Sequence, residues 1–256
     1  VNPHELLARV DVHVELKLHR DALMRSKVET GELLHVLFHD LQNPFALITS
    51  VMDILPDADG PERRQFEKMI RDSSRRGMDI IELVRNMQAL EEGKLACGLE
   101  NINLHSAVTE SAAALKTRFE EKGVGIEIDV GEDITVLAHK TSLINSVLVN
   151  LLTNAIKFSE SGATVKVSAN RGDPTVLEVR DHGIGMPEDI RSHLFDTNTP
   201  TSRPGTGGEK GTGFGMPLAH KFMLHYGGNM EVQSWEEDTG GEQRGTLVRL
   251  TFTRGE

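Results

Sequence analysis

The sequence predicts an α + α/β chain: a long helical hairpin followed by an α/β sandwich. Three observations predict it. Apolar residues recur about every 3.5 positions through 33–55 and again through 66–87, the seam of helices that pack on other helices. A run of breakers, Pro56-Asp57-Ala58-Asp59-Gly60-Pro61, separates the two stretches and makes a turn. Beyond residue 103 strands and helices come in mixed order, as in one sheet covered by helices.

Taken in order, residues 4–27 (HELLARVDVHVELKLHRDALMRSK) form one helix with Leu7, Val10, Val14 and Leu18 on a stripe. Residues 1–27 are expected to be a linker or signal helix, and their wording weakly resembles the tail of a receiver domain. Residues 28–97 are expected to be the hairpin. Its first helix carries Leu34, Leu37, Leu41, Ile48, Val51 and Leu55, with Pro44 filling the gap in the series. Pro44 removes a backbone donor and is expected to bend this helix. Its second helix starts at Pro61, runs to about Leu90 and carries Phe66, Ile70, Ser73, Gly77, Ile80, Val84 and Met87. One hairpin has more apolar surface than it can cover, so two copies closing a four-helix bundle, a homodimer, is the expected solution.

Residues 93–103 read as a linker, and 98–256 as the second domain. There the sequence predicts a helix over 104–121, a strand over 125–130 and a helix over 143–158. Strands follow over 163–169 and 175–181. A glycine-rich loop spans 200–215 and leads into a helix ending near Tyr226. NMEVQSW and GTLVRLTF close the chain as strands.

The bulk numbers exclude several classes. The 256 residues carry a formal net charge of −11, which argues against a nucleic-acid partner. No run of 18 apolar residues marks a membrane span, and no signal peptide is visible. One cysteine, Cys97, allows no intrachain disulfide and fits a reducing cytoplasm. The chain opens with Val1 rather than methionine, which suggests a piece of something longer.

Four stretches bear chemistry. In FHDLQNP, His39 lies between the seam positions Leu37 and Leu41 and so points away from the seam. Asn43 shares its face, four residues on, and Asp40 is a quarter turn round. An imidazole held outside a bundle with a carboxylate and an amide beside it suits a nucleophile. In NLLTNAIKFS, Asn150, Asn154 and Lys157 fall at i, i+4 and i+7 on one face. Two amides and an ammonium there could hold Mg²⁺ and phosphate oxygens. In DHGIGMP a strand ends at Asp181, and Gly183 and Gly185 let the backbone turn tightly. That carboxylate can accept from an exocyclic amine such as adenine's. In GGEKGTGFGMPLAH, Gly211, Gly213 and Gly215 alternate before a helix, and bare N–H groups at a helix start cradle phosphate. The polar stretch TNTPTSRPGTGGEK between the last two is expected to be a mobile lid ordering over a nucleotide.

These four stretches, in this order, resemble the H, N, G1 and G2 boxes of sensor histidine kinases, and Leu194-Phe195-Asp196 is similar to the F box. The resemblance covers roughly residues 30–252. It implies a dimeric phosphotransfer hairpin joined to a catalytic domain of the GHKL ATPase type, cytoplasmic, using ATP and Mg²⁺. It implies that His39 is the phosphoacceptor, that Asp40 orients the ring and takes its proton, and that Asn43 positions a water when the partner is dephosphorylated. Asn154 matches the Mg²⁺ ligand. Asn150 and Lys157 match residues meeting the metal–phosphate group, and Phe158 the ring beside the adenine. Asp181 matches the adenine-reading aspartate, with Gly183, Gly185 and Met186 after it. Gly211, Thr212, Gly213, Phe214, Gly215 and Met216 match the second glycine box, and Thr246 the late threonine near the base. The implied partner is a response-regulator receiver domain. Departures are His182, where the family has asparagine, Asn145-Ser146 in place of arginine and glutamine, and Phe45 in place of leucine. The leading expectation is therefore an ATP-dependent autokinase that passes phosphate to a regulator aspartate and dephosphorylates it. An ATP-binding pseudo-kinase scaffold is the alternative, motivated by Asn145-Ser146. An ATPase of the gyrase and chaperone group is disfavoured, because that group lacks the hairpin.

Overall fold

The computed structural model describes residues 41–91, 98–196, 201, 203–209, 211, 213–236 and 244–253. The expectations for the helix over 4–27 and for His39, Asp40, Cys97 and Thr212 fall outside these residues. The chain divides into two compact units at Gly77 and Met78, inside its second helix.

Helix α1 covers 41–54 and tightens into a 3-10 turn, Leu55–Asp57. Pro56 fits there because an early helical position needs no N–H. Helix α2 spans Gly60–Glu91. The 3.5-residue seam appears as burial: Pro44 and Val51 are buried and Leu41, Ile48 and Leu55 half-buried, so Pro44 does fill the gap in the series. On α2 Ser73, Gly77 and Ile80 are buried, flanked by half-buried Phe66, Ile70 and Val84. Gly77 lets the helices approach, since a methyl there would meet the Phe45 ring at 3.7 Å. Phe45, Met52 and Ile54 on α1, and Met78 and Ile81 on α2, remain exposed. No helix among the described residues is long and apolar enough to cross a membrane.

The second unit is an α/β sandwich. Its strands are β1 (Glu100–Asn103), β2 (Gly125–Asp129), β3 (Thr135–Ala138), β4 (Thr164–Asn170), β5 (Thr175–Asp181), β6 (Asn229–Trp235) and β7 (Gly245–Phe252). Five of them form a sheet in the order β2-β4-β5-β7-β6, antiparallel except for the parallel pair β2·β4. β1 and β3 pair separately and antiparallel. Alternation puts Val165, Val167, Leu177, Val179, Val248, Leu250 and Met230 on the buried face. That face is covered by α3 (Leu104–Ala114), α6 (Val149–Phe158) and α8 (Gly215–His225). Ion pairs line the other face, Lys166 with Glu127 and Arg249 with Glu178 and Glu231.

Three expectations change, and two short elements are new. The helix read over 104–121 is two helices, α3 and α4 (Lys116–Lys122), broken at Leu115, which turns out of helical geometry (φ −104°, ψ 6°) while its side chain stays buried. The end of the linker read over 93–103 is strand β1, whose polar ENIN gives no apolar alternation to see. Strand β3 has only four residues and was equally silent. The helix read from Leu143 begins earlier, at α5 (Lys140–Ser142), and continues through a π-helical stretch, Leu143–Leu148, into α6. A short helix α7 (Glu188–Ser192) follows the DHGIGMP turn.

Candidate nucleotide site

β5 ends at Asp181, on its buried alternation, so a carboxylate is carried to the edge of the core. Gly183 donates its amide to Asp181 Oδ1 at 2.9 Å, closing the turn. Thr246, the register partner of Asp181 on β7, donates its amide to the same oxygen at 3.1 Å. The turn after β5 and the facing strand β7 thus fix one carboxylate oxygen. Burial pushes the Asp181 carboxyl up to about 6, against the two amides and the Arg180 and His182 charges. Thr246 Oγ1 and Ser234 Oγ lie 3.0 Å apart beside it.

The glycines of this turn are dictated by contact. A Cβ on Gly183 would run into the Phe158 carbonyl, and Ile184 donates its amide to that carbonyl at 3.1 Å. Gly185 sits at φ +66°, and a Cβ there would run into the Trp235 carbonyl. The DHGIGMP turn is therefore strapped to the end of α6 on one side and to β6 on the other. Met186 is half-buried beside it.

On α6 the amphipathic reading holds: Leu151, Leu152, Ala155 and Ile156 are buried, while Asn150 and Asn154 are half-buried. Asn150 Nδ2 donates to the Ser146 carbonyl at 2.6 Å. Its Oδ1 faces Gly215, where a Cβ would sit only 2.9 Å away. The start of α8 is thereby brought against the polar stripe of α6. Phe214 and Met216 are buried and belong to the packing of α8, while Gly211 is exposed and Gly213 half-buried. Gly213 has φ +82°, a conformation that bends the loop into the helix.

Lys157 departs from the expected open stripe. Its side chain is buried, and Nζ donates to the Arg203 carbonyl at 2.7 Å. Burial pushes its ammonium below the usual range, with Arg203 and Lys122 adding to that and Glu209 opposing it. Thr206 donates its hydroxyl to the Ser159 carbonyl at 2.7 Å and its amide to the Lys157 carbonyl at 3.1 Å. Lys122 on α4 donates to the Lys157 carbonyl at 3.1 Å and pairs with Glu209. The described part of the lid is thus tied to the end of α6. Sequence reasoning missed Lys122, Arg203 and Glu209, which no motif or spacing singles out.

Asp181, Gly183, Gly185, Phe158 and Thr246 come together around the end of α6, and Asn150 and Gly215 meet beside them. Asn43 lies exposed on α1, in the other compact unit. Among the described residues no cluster of three or more His, Cys, Asp or Glu side chains stands ready for a metal ion.

A glycine-lined turn between a buried carboxylate and the end of a core helix defines a class, and residues 139–256 match it: the histidine kinase-, DNA gyrase B- and HSP90-like ATPase family. The chain is also similar to sensor histidine kinases. It is 28% identical over 211 residues to the circadian input-output histidine kinase CikA of Synechococcus elongatus, covering 80% of this chain and 28% of that protein. It is 28% identical over 260 residues to the sensor protein KdpD of Rathayibacter rathayi, covering 96% and 29%. In fold it is similar to the histidine kinase AdeS of Acinetobacter baumannii, with a TM-score of 0.65, 18% identity, and coverage of 85% of this chain and 98% of that one. The chain spans well under half the length of the first curated relatives it matches, 28%, 25% and 41%. The resemblance to sensor histidine kinases is borne out for the catalytic domain; His39 and Asp40 of the first box lie outside the described residues.

Proposed function

We propose that this chain is the kinase core of a sensor histidine kinase, which phosphorylates itself on His39 from ATP and passes the phosphoryl group to an aspartate of a response-regulator receiver domain. The observation that carries the proposal is Asp181: a buried carboxylate at the end of β5, with one oxygen held by the Gly183 and Thr246 amides, suits the exocyclic amine of an adenine. Phe158 offers a ring face beside it, and the amides before α8 offer donors to phosphate.

The chemistry is in-line displacement. The neutral imidazole of His39 attacks the γ-phosphorus, the bond to the β-phosphate oxygen breaks, and ADP leaves. Asp40 takes the ring proton as the N–P bond forms. A receiver carboxylate then displaces the imidazole in a second transfer. Asn43, exposed on α1, would position water for the reverse duty, hydrolysis of the regulator's acyl phosphate. Asn154, Asn150 and Lys157 would meet the phosphates. Mg²⁺ fits this donor set, because it takes few protein ligands and an amide oxygen with phosphate and water completes its shell. When bound it would neutralise charge on the transferring group. The Lys157 ammonium must first leave the Arg203 carbonyl.

The hairpin is proposed to dimerise through the apolar residues left exposed on α1 and α2, and the core to act in the cytoplasm. Incubation with γ-labelled ATP and Mg²⁺ should give acid-labile label on the protein, absent from His39→Gln and discharged by a cognate receiver domain. Label that persists in His39→Gln would refute the assignment. Nucleotide binding without any label would favour the scaffold alternative instead.

A further inference from the structure

Arg203 lies across the base site. Its guanidinium stands 4.8 Å from the centre of the Phe158 ring and donates to the Gly185 carbonyl. Of the carboxylates around it, Glu236 and Asp181 attract it most, while burial opposes its charge. These two contacts, an aromatic face and a carbonyl of the DHGIGMP turn, are ones a purine ring with an exocyclic amine would also use. A guanidinium is likewise planar and presents N–H donors in its own plane.

The arginine is also held there. Glu209 accepts the Gly205 amide on its own carbonyl at 2.8 Å and the Gly207 amide on its carboxylate at 2.8 Å, which closes a tight turn over 205–209. Lys122 pairs with that same carboxylate. Thr206 is bonded to the carbonyls of Lys157 and Ser159. Gly205 packs against the Lys157 side chain where a Cβ would not fit. The turn is thus fixed two residues from Arg203, and the Arg203 carbonyl takes the Lys157 ammonium. One residue therefore blocks both ends of the site: its side chain imitates the base, and its carbonyl occupies the cation meant for phosphate.

We infer that Arg203 is an internal competitor of the nucleotide, a plug held by the Lys122–Glu209 pair, which adenine must displace before ATP can seat. The inference rests on the nucleotide-site reading above, and the test separates the two. A plug that fills the site in about nine-tenths of molecules weakens apparent affinity about tenfold, by the fraction of competent molecules.

Calorimetric titration of the full chain with ADP, and separately with adenosine, reads this directly. Arg203→Ala should bind both ligands more tightly, by about the same factor of ten. Glu209→Gln, which loosens the turn without touching the base site, should move both in the same direction by less. An arginine that instead clamps phosphate would give the opposite pattern, with ADP weakened and adenosine unchanged, and that result overturns the inference. So does unchanged affinity for both ligands. Asp181→Asn is the control: if Asp181 reads the base, it abolishes adenosine binding in either background. Were adenosine to bind Asp181→Asn as it binds the unaltered chain, the nucleotide-site reading would fail rather than the plug.

Discussion

Asp181 is asked to be charged in a place that disfavours charge. Burial raises its carboxyl from 3.8 to about 6, so the folded chain holds that proton more tightly than the unfolded one. The sign follows from linkage: the ionised carboxylate costs stability above pH 6, and the cost fades as the pH falls from 6 toward 4. The shift corresponds to a cost of about 3 kcal/mol at most near pH 7. Asp181→Asn keeps an oxygen for the Gly183 and Thr246 amides and removes the charge. It should therefore raise the urea midpoint at pH 7.5, and the gain should vanish near pH 4. Binding should run the other way. An amine needs the ionised acceptor, so affinity for ADP should fall about tenfold between pH 7 and pH 5. Parallel pH dependence of stability and affinity would contradict this account of the residue. The turn at Asp181, Gly183 and Gly185 was legible in sequence because it is local: a strand, a turn and two glycines within five positions. Arg203 and Lys122 were not, because Lys157 meets Arg203 across 46 residues and Lys122 meets Glu209 across 87, and no spacing rule reports a polar contact of that range.

Among elements, those with a complete period were readable and the short polar ones were not. β6 and β7 occupy the spans their alternation predicts, Asn229–Trp235 and Gly245–Phe252. The apolar side of α6 emerged likewise, because four buried residues repeat at helical spacing. β1 and β3, four residues each, carry too little pattern, and the sheet they form exists because Ile102, Val136 and Ala138 are buried by tertiary packing. The break between α3 and α4 hides in a continuous helical composition. What anchors α3 is its cap. Asn103 accepts the Ser106 amide at 2.8 Å and donates Nδ2 to the Glu132 carbonyl at 2.5 Å, tying β1, α3 and the 131–134 turn together. Asn103→Ala should cost about 1–2 kcal/mol, read as a lower urea midpoint of the second unit. ADP affinity at saturating folded protein should be unchanged, since α3 contributes nothing to the base site. A stability loss below a few tenths of a kcal/mol would mean that another group satisfies the α3 amides.

At the scale of the whole molecule the question is what covers the hairpin. Its seam uses Pro44, Val51, Ser73, Gly77 and Ile80, yet Phe45, Met52, Met78 and Ile81 remain between 44% and 64% exposed. Phe45 and Met52 are seven residues apart on α1, as are Leu47 and Ile54, and Met78 and Ile81 are three apart on α2, so exposed apolar residues recur at helical spacing on both helices. Two hairpins sharing such rows would make the bundle the sequence predicts. Because Met52 and Met78 are more than half exposed within one chain, replacing them by charge costs the isolated hairpin less than replacing a seam residue would. In a dimer the same charges would have to be buried without partners, which costs several kcal/mol per pair of sites. Met52→Lys combined with Met78→Lys should therefore convert the chain from dimer to monomer by sedimentation equilibrium, with the circular dichroism of the second unit and its ADP affinity unchanged. A wild-type chain that sediments at 28.2 kDa, or a doubly substituted chain that stays at twice that mass, would show that these rows serve another surface.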